Sequence, residues 1–567
     1  MQRTEIVRQD DKNIIDPFLR HTKSGPTDVA IIDGAEVLTY QELWRLSKYV
    51  VHSLWDFGIR KGDRVAYFLP NGVDLIVLYL AIQAMGAVAV PVNYRFTSEE
   101  VGCLVNASDA EALIYAPEHQ SVAIDARKGF DHAVQILSSQ FIRDALSDMR
   151  QGGQSDSAKD FEVFQEGGPS RIQFTGGSTG APKGAARTHA ADLVEIRDIL
   201  ETIGLEDVEH PVALVQAPME HHGGHSWLLS CLSAGAAVVV ASKFDAEEIL
   251  GKIERYAVTH IILLPPSVYC RLSREAAPGA RDLSSVRIVQ SAAGAMTPSI
   301  VEGIFQLFPA CEINYGWGQS ESGVGTSMRL SREEYASGTP KIHSVGVPMR
   351  SLEMMLLDEK GGASDCGEAV VRTPAMMEGY YERPDLTREV LQDGWLRTGD
   401  VFARDEQGLY YFKARVKDVI KTGGENVYAS EVQAVILSHP EVQDCVVKGV
   451  PDLVWGGGSG RHRATDEGKR SVAESDTGLL QKTLGELQKA AEDRPGRRSG
   501  ERRVGESGRR SDERAFLFGG KLSTPSAVGF HVRGRSLRPQ PANAHPISEG
   551  CFGCAFSPCE RKYTAAG

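Results

Sequence analysis

The sequence lacks long apolar segments and an excess of basic residues. It has no apolar run of the roughly 18 residues or more that a membrane-spanning helix needs. Its 62 Lys and Arg are outnumbered by 75 Asp and Glu, and the net charge of −13 argues against non-specific nucleic-acid binding, which needs a basic face. The N-terminal MQRTEIVRQDDKNIIDPF is polar and unlike a signal peptide, so we expect a cytoplasmic protein.

Cysteine is scarce, with nine residues in the whole chain, and no internal repeat is visible. Isolated cysteines in apolar surroundings are typical of buried thiols in a reducing compartment. The six that fit this description are Cys103, Cys231, Cys270, Cys311, Cys366 and Cys445. The other three lie in CFGCAFSPC at 551–559, a C-x-x-C pair plus one cysteine, which lacks the fourth ligand of a structural zinc site.

The length and the apolar pattern predict several α/β domains. At 567 residues, 42% of them hydrophobic, the chain is long enough for about three domains. Strand patterns such as RVAYFLP, AVAVPVN and HIILLPP alternate with helical ones, and Thr39 with Glu42 and Thr97 with Glu100 predict capping boxes at two helix starts. Apolar strands that alternate with helices predict parallel sheets covered on both faces, with ligands at the carboxyl ends of the strands.

Two changes of texture divide the rest of the chain. Short strand patterns with turn signals, such as EMMLLD, GEAVVR and GLYYFKARV, predict a small β-rich subdomain at about 346–415. Residues 417–450 read as strand, helix and strand, the opening of another α/β domain. After Trp455 the sequence becomes rich in Arg, Gly and Ser and loses its apolar periodicity. We therefore expect 456–567 to be a disordered, low-complexity tail.

A glycine-rich loop follows one predicted strand, in QFTGGSTGAPKG at 173–184. Its glycines let successive N–H groups point into one concavity, and Thr175, Ser178 and Thr179 add hydroxyl donors. Lys183 adds a mobile positive charge. The loop differs from the P-loop pattern G-x-x-x-x-G-K-[ST]. It predicts a phosphate site, with a plain flexible linker as the alternative.

Three further stretches carry residues suited to a nucleotide. NYGWGQSESG places Trp317 between glycines, which would give it an open face for a nucleobase, and Ser320 and Glu321 follow, suited to a phosphate oxygen and to Mg²⁺. A buried Trp at a strand end beside a solvated acid is the alternative. DGWLRTGDV holds Asp400 after a tight turn, where its carboxylate could accept both hydroxyls of a ribose. KARVKDVIKTGGENVY then brings basic residues, an acid and two glycines.

In this order, the stretches resemble the signature motifs of the adenylate-forming superfamily, which includes acyl-CoA synthetases, firefly luciferase and the adenylation domains of peptide synthetases. TGGSTGAPKG differs at two positions from the family's T-S-G-T-T-G-x-P-K-G. WGQSE resembles its aromatic–Gly–x–Thr–Glu motif, TGD its T-G-D, ARVKD its G-R-x-K-D, and SAAGAMTP its adenine-site segment. The resemblance covers roughly residues 15–455.

The resemblance implies an ATP-dependent acyl-CoA synthetase that uses ATP, Mg²⁺ and coenzyme A. A carboxylate would attack the α-phosphate of ATP, giving an acyl-adenylate and pyrophosphate, and the thiol would then displace AMP. The fold would be α/β, with a large N-terminal domain (1–415) of two parallel-sheet subdomains plus the β-rich subdomain. An incomplete α+β lid (416–455) and the tail would follow. The partners we expect are a small carboxylic acid and, as an option, a second copy of the chain; nucleic acid is not among them.

The matching positions carry the family's roles over to this chain. The residues expected to hold the phosphates of ATP are Thr175, Gly177, Ser178, Thr179, Gly180 and Lys183. Those expected around adenine, the α-phosphate and ribose are Ala293, Gly294, Trp317, Gly318, Ser320, Asp400 and Arg415. The expected magnesium ligands are Thr179 and Glu321, the lid hinge is Lys417, and the lining of the thiol tunnel is Gly423 and Gly424. The residues expected to take part in catalysis are Thr179, Lys183, His221, Glu321 and Lys417.

The acyl group is expected beside APMEHHGGHSWLL, which resembles the family's P-x-x-H segment and puts His221 at the pocket entrance. The apolar GGHSWLLSCLSAGAAVVV favours a fatty or other hydrophobic acid, with aromatic acids as an alternative. No Asp is placed there to hold an α-amino group, which disfavours an amino acid. His221, His222 and His225 could also suggest a metal, but no acid or Cys is spaced to complete a site.

One family element is missing from the sequence. The family's lid ends in P-x-x-x-x-G-K, whose Lys reaches the α-phosphate and the carboxylate, and 456–567 contains no such segment; Lys521 in FGGKLS lacks the context. The change of composition resembles translation in a shifted frame, with a native disordered extension as the alternative. We expect ATP binding to persist and adenylation to fall by about 10²–10³, the effect of losing one preorganised charge contact. The alternative functions are a catalytically dead adenylate-binding product of a damaged gene and a luciferase-like oxygenase.

Overall fold

The computed structural model describes residues 6–151, 161–165, 167–175, 182–276, 281–422, 425–428, 442–449 and 528–534. They form two compact units. The first contains the described residues up to Thr398 together with Ala403–Tyr411. The second contains Gly399–Phe402 and the described residues from Phe412 onward. Within these ranges, every helix is too short or too polar to cross a membrane.

The described α-helices all lie in the first unit. They are α1 (Asp16–Ser24), α2 (Tyr40–Asp56), α3 (Val73–Met85), α4 (Ser98–Ala107), α5 (Gln120–Ala126), α6 (Gln140–Arg150), α7 (His189–Ile203), α8 (His222–Ser233), α9 (Ala246–Arg255), α10 (Ser267–Glu275), α11 (Pro298–Leu307), α12 (Arg332–Ala336) and α13 (Pro384–Val390).

The strands are shorter and more numerous. They are β1 (Val29–Asp33), β2 (Glu36–Thr39), β3 (Arg64–Phe68), β4 (Val88–Pro91), β5 (Ala112–Tyr115), β6 (Gln135–Ser138), β7 (Pro169–Thr175), β8 (Lys183–Thr188), β9 (Val212–Val215), β10 (Ala237–Val240), β11 (His260–Ile262), β12 (Ile288–Ser291), β13 (Glu312–Tyr315), β14 (Gly318–Gln319), β15 (Gly323–Val324), β16 (Thr326–Leu330), β17 (Val347–Pro348), β18 (Glu353–Leu357), β19 (Cys366–Arg372), β20 (Gly379–Tyr380), β21 (Leu391–Gln392), β22 (Trp395–Arg404), β23 (Tyr410–Arg415), β24 (Val419–Thr422), β25 (Glu425–Tyr428), β26 (Val442–Gly449) and β27 (Val528–Gly534).

Two large sheets form the framework of the first unit. One has the order β17-β16-β13-β12-β11-β9-β10-β1-β2, and its six central strands, from β13 to β1, are parallel. The other has the order β20-β8-β7-β4-β3-β5-β6, with β7, β4, β3, β5 and β6 parallel. The predicted parallel sheets are confirmed. Antiparallel strands, which the sequence interpretation did not include, lie at the edges: β2, β16 and β17 in the first sheet, and β8 and β20 in the second.

The hydrophobic core joins the two sheets through helices. Every residue of α3 is buried, as expected for a helix that is apolar on all sides. Leu78 of α3, Ile196 of α7 and Leu228 of α8 belong to one buried cluster with Ile31 of β1 and Val65 of β3. The loops outside this core are therefore attached to a rigid, close-packed frame.

Both predicted capping boxes are confirmed. The Thr39 hydroxyl accepts a hydrogen bond from the Glu42 amide, and the Glu42 carboxylate accepts one from the Thr39 amide. Thr97 and Glu100 do the same at the start of α4. Each cap satisfies backbone N–H groups that have no partner within the helix, which fixes where α2 and α4 begin.

The cysteine prediction is partly wrong. Cys231 and Cys311 are buried and Cys270 is half-buried, but Cys103 and Cys366 are exposed. Cys103 lies on α4, whose buried residues are Val101, Gly102, Leu104 and Val105. Apolar neighbours in sequence do not bury a side chain that points to the opposite side of a helix.

The range predicted as a β-rich subdomain, 346–415, contains β17 to β23, but β17 belongs to the first large sheet and β20 to the second. In the first unit, β18 pairs with β19, β21 with β22, and the Thr398 hydroxyl of β22 donates to the Ala369 carbonyl of β19. In the second unit, β24 and β25 form a hairpin. The predicted helix in ASEVQAVILSH lies outside the described residues.

One strand, β27, lies in the segment that we expected to be a disordered tail. β27 pairs antiparallel with β26 over seven residues that we expected to lack structure. Its sequence, VGFHVRG, alternates apolar and other residues with the period of a strand. This short alternation is hidden among Arg, Gly and Ser, and the rest of 456–567 lies outside the described residues.

Candidate active site

Three of the predicted segments, those of His221, Ala293–Gly294 and Trp317, start at one edge of the first large sheet. The loop to His221 follows β9, the Ala293–Gly294 segment follows β12, and Trp317 follows β13. These strands are parallel and lie in the order β13-β12-β11-β9, so their carboxyl ends point the same way. This is the edge at which open α/β sheets bind ligands.

The predicted adenine segment has an unusual backbone. Ala293 is exposed and has a φ of +61°, a left-handed conformation that alanine rarely adopts. The Tyr315 hydroxyl donates to the Gly294 carbonyl over 2.6 Å and so ties this segment to the end of β13. Backbone strain of this kind persists only where the surroundings enforce it, and it is common at ligand sites.

The open face that we expected for Trp317 is not present. The residue is 9% exposed, and its ring lies so close to Gly325 that a Cβ there would come within 2.3 Å of it. The Trp317 amide donates to the Thr326 hydroxyl over 3.1 Å, which fixes the start of the β14–β15 hairpin. That hairpin begins with Gly318 and carries Ser320 and Glu321 at its tip.

The ends of the glycine loop meet in a second hairpin. β7 and β8 are antiparallel, with Thr175 opposite Lys183, and the Thr175 hydroxyl lies 3.5 Å from the Lys183 carbonyl. The loop residues between them, Gly177, Ser178, Thr179 and Gly180, lie outside the described residues. Their predicted phosphate and magnesium contacts stay predictions.

A tyrosine connects the two hairpins. Tyr380 lies on β20, which pairs with β8, and its hydroxyl donates to the Glu321 carboxylate over 2.9 Å. The Lys183 ammonium lies 5.5 Å from the centre of the Tyr380 ring, within range of a cation–π contact. The structure therefore brings Lys183 and Glu321, which are far apart in sequence, to the same side chain. The sequence interpretation missed Tyr380 because GYY carries no pattern that distinguishes a site residue.

The predicted acyl entrance is formed by the loop before α8. His221 is exposed, and its Nε2 lies 3.5 Å from the Asn93 amide nitrogen. Glu220 beside it is buried, and burial raises its pKa to about 7. This carboxyl group therefore titrates near neutral pH at the edge of the predicted pocket.

The other two histidines of this segment, His222 and His225, are buried and contact other side chains of the protein. The Nε2 of His222 lies 2.8 Å from the Glu195 carboxylate, and His225 packs edge-on against Tyr79. Burial lowers the pKa of both imidazoles. The acid that pairs with His222 is Glu195 of α7, 27 residues earlier in the chain, and the sequence interpretation did not find it.

The sequence interpretation also missed a network of buried ion pairs. Its members are Arg171, Arg187, Asp192, Glu195 and His222. The two arginines are fully buried and the two acids nearly so. A signal was present, since SRIQF and AARTH place an arginine inside a strand pattern. A charged residue there predicts a buried partner, but not which one.

The predicted ribose residues lie in the second unit. Asp400 is fully buried, and its carboxylate forms an ion pair with Arg415 at 2.7 Å. Lys417, the predicted hinge, is exposed in the short helical turn that follows. Gly423 and Gly424, the predicted thiol-tunnel residues, lie outside the described residues.

Comparison with known proteins identifies the family of this chain. Residues 18–381 match the AMP-binding enzyme family. A feruloyl-CoA synthase from Amycolatopsis sp is 32% identical over 442 residues, which cover 77% of this chain and 86% of the relative.

Two solved structures share the fold. A Mycobacterium tuberculosis fatty acyl CoA synthetase superposes with a TM-score of 0.66 and 26% identity, covering 78% of this chain and 86% of that one. An ATP-bound MatB from Rhodopseudomonas palustris superposes with a TM-score of 0.68 and 25% identity, covering 79% of this chain and 87% of that one. The chain therefore belongs to the AMP-binding enzymes, and it is an acid–thiol ligase of the AMP-forming acyl-CoA ligase family.

Proposed function

We propose that this chain is an ATP-dependent acyl-CoA synthetase that activates a hydrophobic carboxylic acid as its adenylate and transfers the acyl group to coenzyme A. The observation that carries the proposal is the meeting of Lys183 and Glu321 at Tyr380. A cation and a carboxylate that contact the same tyrosine from two hairpins suit a polyphosphate with its metal ion. The ATP in the MatB structure supports the same ligand here.

The residues around Glu321 fit a magnesium ion. One Glu321 carboxylate oxygen accepts a hydrogen bond from the Tyr380 hydroxyl. This bond orients the carboxylate without neutralising its charge. Carboxylate oxygens are the protein ligands that Mg²⁺ prefers, and Mg²⁺ usually keeps waters and phosphate oxygens as its other ligands. We propose that Glu321 and Thr179 hold the ion. When bound, it would neutralise charge on the phosphates during transfer.

The protein's own residues would mainly position the reactants, because phosphoryl chemistry depends on alignment and charge. Lys183 and the loop from Thr175 to Gly180 would hold the β- and γ-phosphates, and Ser320 the α-phosphate. Ala293 and Gly294 would form the adenine site, with Trp317 contributing only the 9% of its surface that is exposed. Asp400 would accept the ribose hydroxyls, with Arg415 holding its carboxylate in place.

The second half-reaction would involve a lid. We propose that residues 416–455 are the part of the lid present here, that it turns at Lys417, and that Gly423 and Gly424 line the path of the thiol. Such rotation would expose the adenylate to coenzyme A after pyrophosphate leaves. The missing G-K segment should slow adenylation, because the attacking carboxylate would have one cation fewer.

The substrate is proposed to be a fatty or other hydrophobic acid. The support is α8, in which Trp227, Leu228 and Leu229 are buried beside the His221 loop. Relatives differ in this respect, since one is named for a feruloyl group and one for a fatty acyl group. An aromatic acid is therefore the second candidate.

A pyrophosphate-release screen tests this function. The protein would be incubated with Mg·ATP and acids of increasing chain length plus cinnamic-type acids, with and without coenzyme A. We expect release with a hydrophobic acid, and an acyl-CoA product only when coenzyme A is present. A rate within tenfold of the Amycolatopsis feruloyl-CoA synthase on its own acid would refute the proposed impairment. No release with any acid would refute the synthetase function.

A further inference from the structure

The buried ion network connects parts of the site that are distant in sequence. Arg187 lies on β8, four residues after Lys183, and its guanidinium reaches three acceptors. Its Nε donates to Asp192 over 2.6 Å, its Nη2 to Glu195 over 2.8 Å, and its Nη1 to the Ser320 carbonyl over 3.2 Å. The side chain that anchors the acids therefore also holds the tip of the β14–β15 hairpin.

Glu195 supports the other side of the same hairpin tip. Its carboxylate lies against Gly323, where a Cβ would come within 3.1 Å of the Glu195 carboxyl carbon. Gly323 has a φ of +75°, which a side chain rarely adopts. Glu321 therefore lies between the Ser320 carbonyl, which Arg187 holds, and Gly323, which packs on Glu195.

The network also reaches the start of α8, which we name the acyl helix because it follows the predicted acyl entrance at His221. Glu195 lies 2.8 Å from the Nε2 of His222, the first residue of α8, and the Nη2 of Arg171 lies 3.1 Å from the Nδ1 of the same ring. Arg171 also pairs with Asp192 at 3.3 Å. His221, the predicted acyl entrance, immediately precedes this anchored residue.

Stability alone does not explain so many buried charges. Removing ions from water costs free energy, and well-packed apolar side chains often serve a core equally well or better. A network of this kind does define one arrangement of the elements that it joins. Here those elements are the strand that carries Lys183, the hairpin that carries Glu321 and the helix that follows His221.

We propose that Arg187 is a positioning residue for adenylation. It holds the Ser320–Glu321 tip in a fixed position relative to Lys183, and through Glu195 it couples this tip to the acyl helix. This inference rests on the proposed function. Arg187 does not touch the reacting atoms in this view; it acts through the Ser320 carbonyl and through Glu195.

Arg187→Lys is the most informative variant. It keeps the charge, but an ammonium on a flexible stem cannot reach three acceptors in the fixed geometry of a guanidinium. We expect kcat for pyrophosphate release to fall about 10- to 100-fold and the Mg²⁺ concentration for half-maximal rate to rise, with KM for the acid nearly unchanged. Arg64→Lys is the matched control, since Arg64 begins β3, forms an ion pair with Glu111 and contacts no member of the network in the described structure.

A double-mutant cycle separates positioning from general damage. If Arg187 acts through the hairpin tip, Arg187→Lys should lower kcat much less when Glu321→Gln is already present. Equal effects in both backgrounds would overturn the proposal, as would an Arg187→Lys enzyme within twofold of wild type in kcat and Mg²⁺ dependence.

Two further outcomes are also decisive. If Arg187→Lys fails to fold, Glu195→Gln takes its place, and wild-type kcat in that variant would overturn the coupling. If the wild-type protein itself releases no pyrophosphate with any acid, the proposed function fails and this inference fails with it. If the wild type is active and the variants are unaffected, this inference fails but the proposed function does not.

Discussion

At the scale of single residues, the proposed adenylation chemistry depends on Glu321. Its carboxylate is oriented by Tyr380 and is the proposed magnesium ligand. Glutamine has nearly the same shape and can still accept the Tyr380 hydrogen bond, but it lacks the charge. We expect Glu321→Gln to lower the rate of pyrophosphate release by about 10²–10³, the usual effect of losing one preorganised electrostatic contact.

The matched control is Glu353→Gln. Glu353 is exposed on β18 and pairs with Arg372 at 2.7 Å, and exposed ion pairs contribute little. We expect its rate to stay within twofold of wild type when both variants are assayed at saturating Mg·ATP. Equal losses in the two variants would show that the charge at 321 has no special role.

Glu220 supports a prediction about pH. Burial raises its pKa to about 7 in the folded protein, above the ordinary value of 4.5 that the unfolded chain retains. The folded state therefore binds this proton more tightly. The resulting stabilisation is complete below pH 4.5 and is lost as the pH rises through 7.

Glu220→Gln stays neutral and removes this dependence. Its free energy of unfolding relative to wild type should rise by up to about 1.4 kcal/mol per pH unit between 4.5 and 7 and then level off. Thermal unfolding of both proteins at pH 5, 6, 7 and 8 measures this. A difference in Tm that does not change with pH would mean that Glu220 titrates normally.

At the scale of elements, the β14–β15 hairpin is the most sensitive part of the site. Gly323 and Gly338 both have a φ of +75°, but only Gly323 has a close neighbour, the Glu195 carboxylate. Alanine in a left-handed conformation costs about 1–2 kcal/mol at either position. Gly323→Ala should also displace Glu195, so we expect it alone to lower the pyrophosphate-release rate, by about tenfold or more.

The two variants are compared by Tm and by rate. We expect similar decreases in Tm, with a normal rate for Gly338→Ala. A normal rate for Gly323→Ala would mean that the hairpin tip does not need the contact with Glu195.

Elements with a strong local signal were predictable from the sequence. The capping residues Thr39 and Thr97 marked helix starts correctly because a cap depends on residues within one turn. Arg187, Glu195 and Tyr380 were not predictable, because their partners lie on other elements and come together only when the sheets form. Local pattern also could not show that Gly325 would cover Trp317.

At the scale of the whole molecule, the alternation of strands and helices predicted parallel sheets with ligands at the carboxyl ends of their strands, and the family resemblance predicted two such subdomains. What it did not show is the antiparallel edge strands β8 and β20, which carry Lys183 and Tyr380. β8 returns beside β7 after a loop too short for a crossover helix, and this reversal places Lys183 opposite Thr175. The geometry of the candidate site therefore depends on a departure from the parallel pattern.

The proposed function requires that the glycine-loop hairpin and the Ser320–Glu321 hairpin bind one molecule of Mg·ATP. Isothermal titration of the full-length wild-type protein with ATP, in the presence and absence of Mg²⁺, tests it most directly. We predict saturable binding of one ATP per chain that is weakened when Mg²⁺ is removed. Absence of binding with Mg²⁺ present would contradict the account.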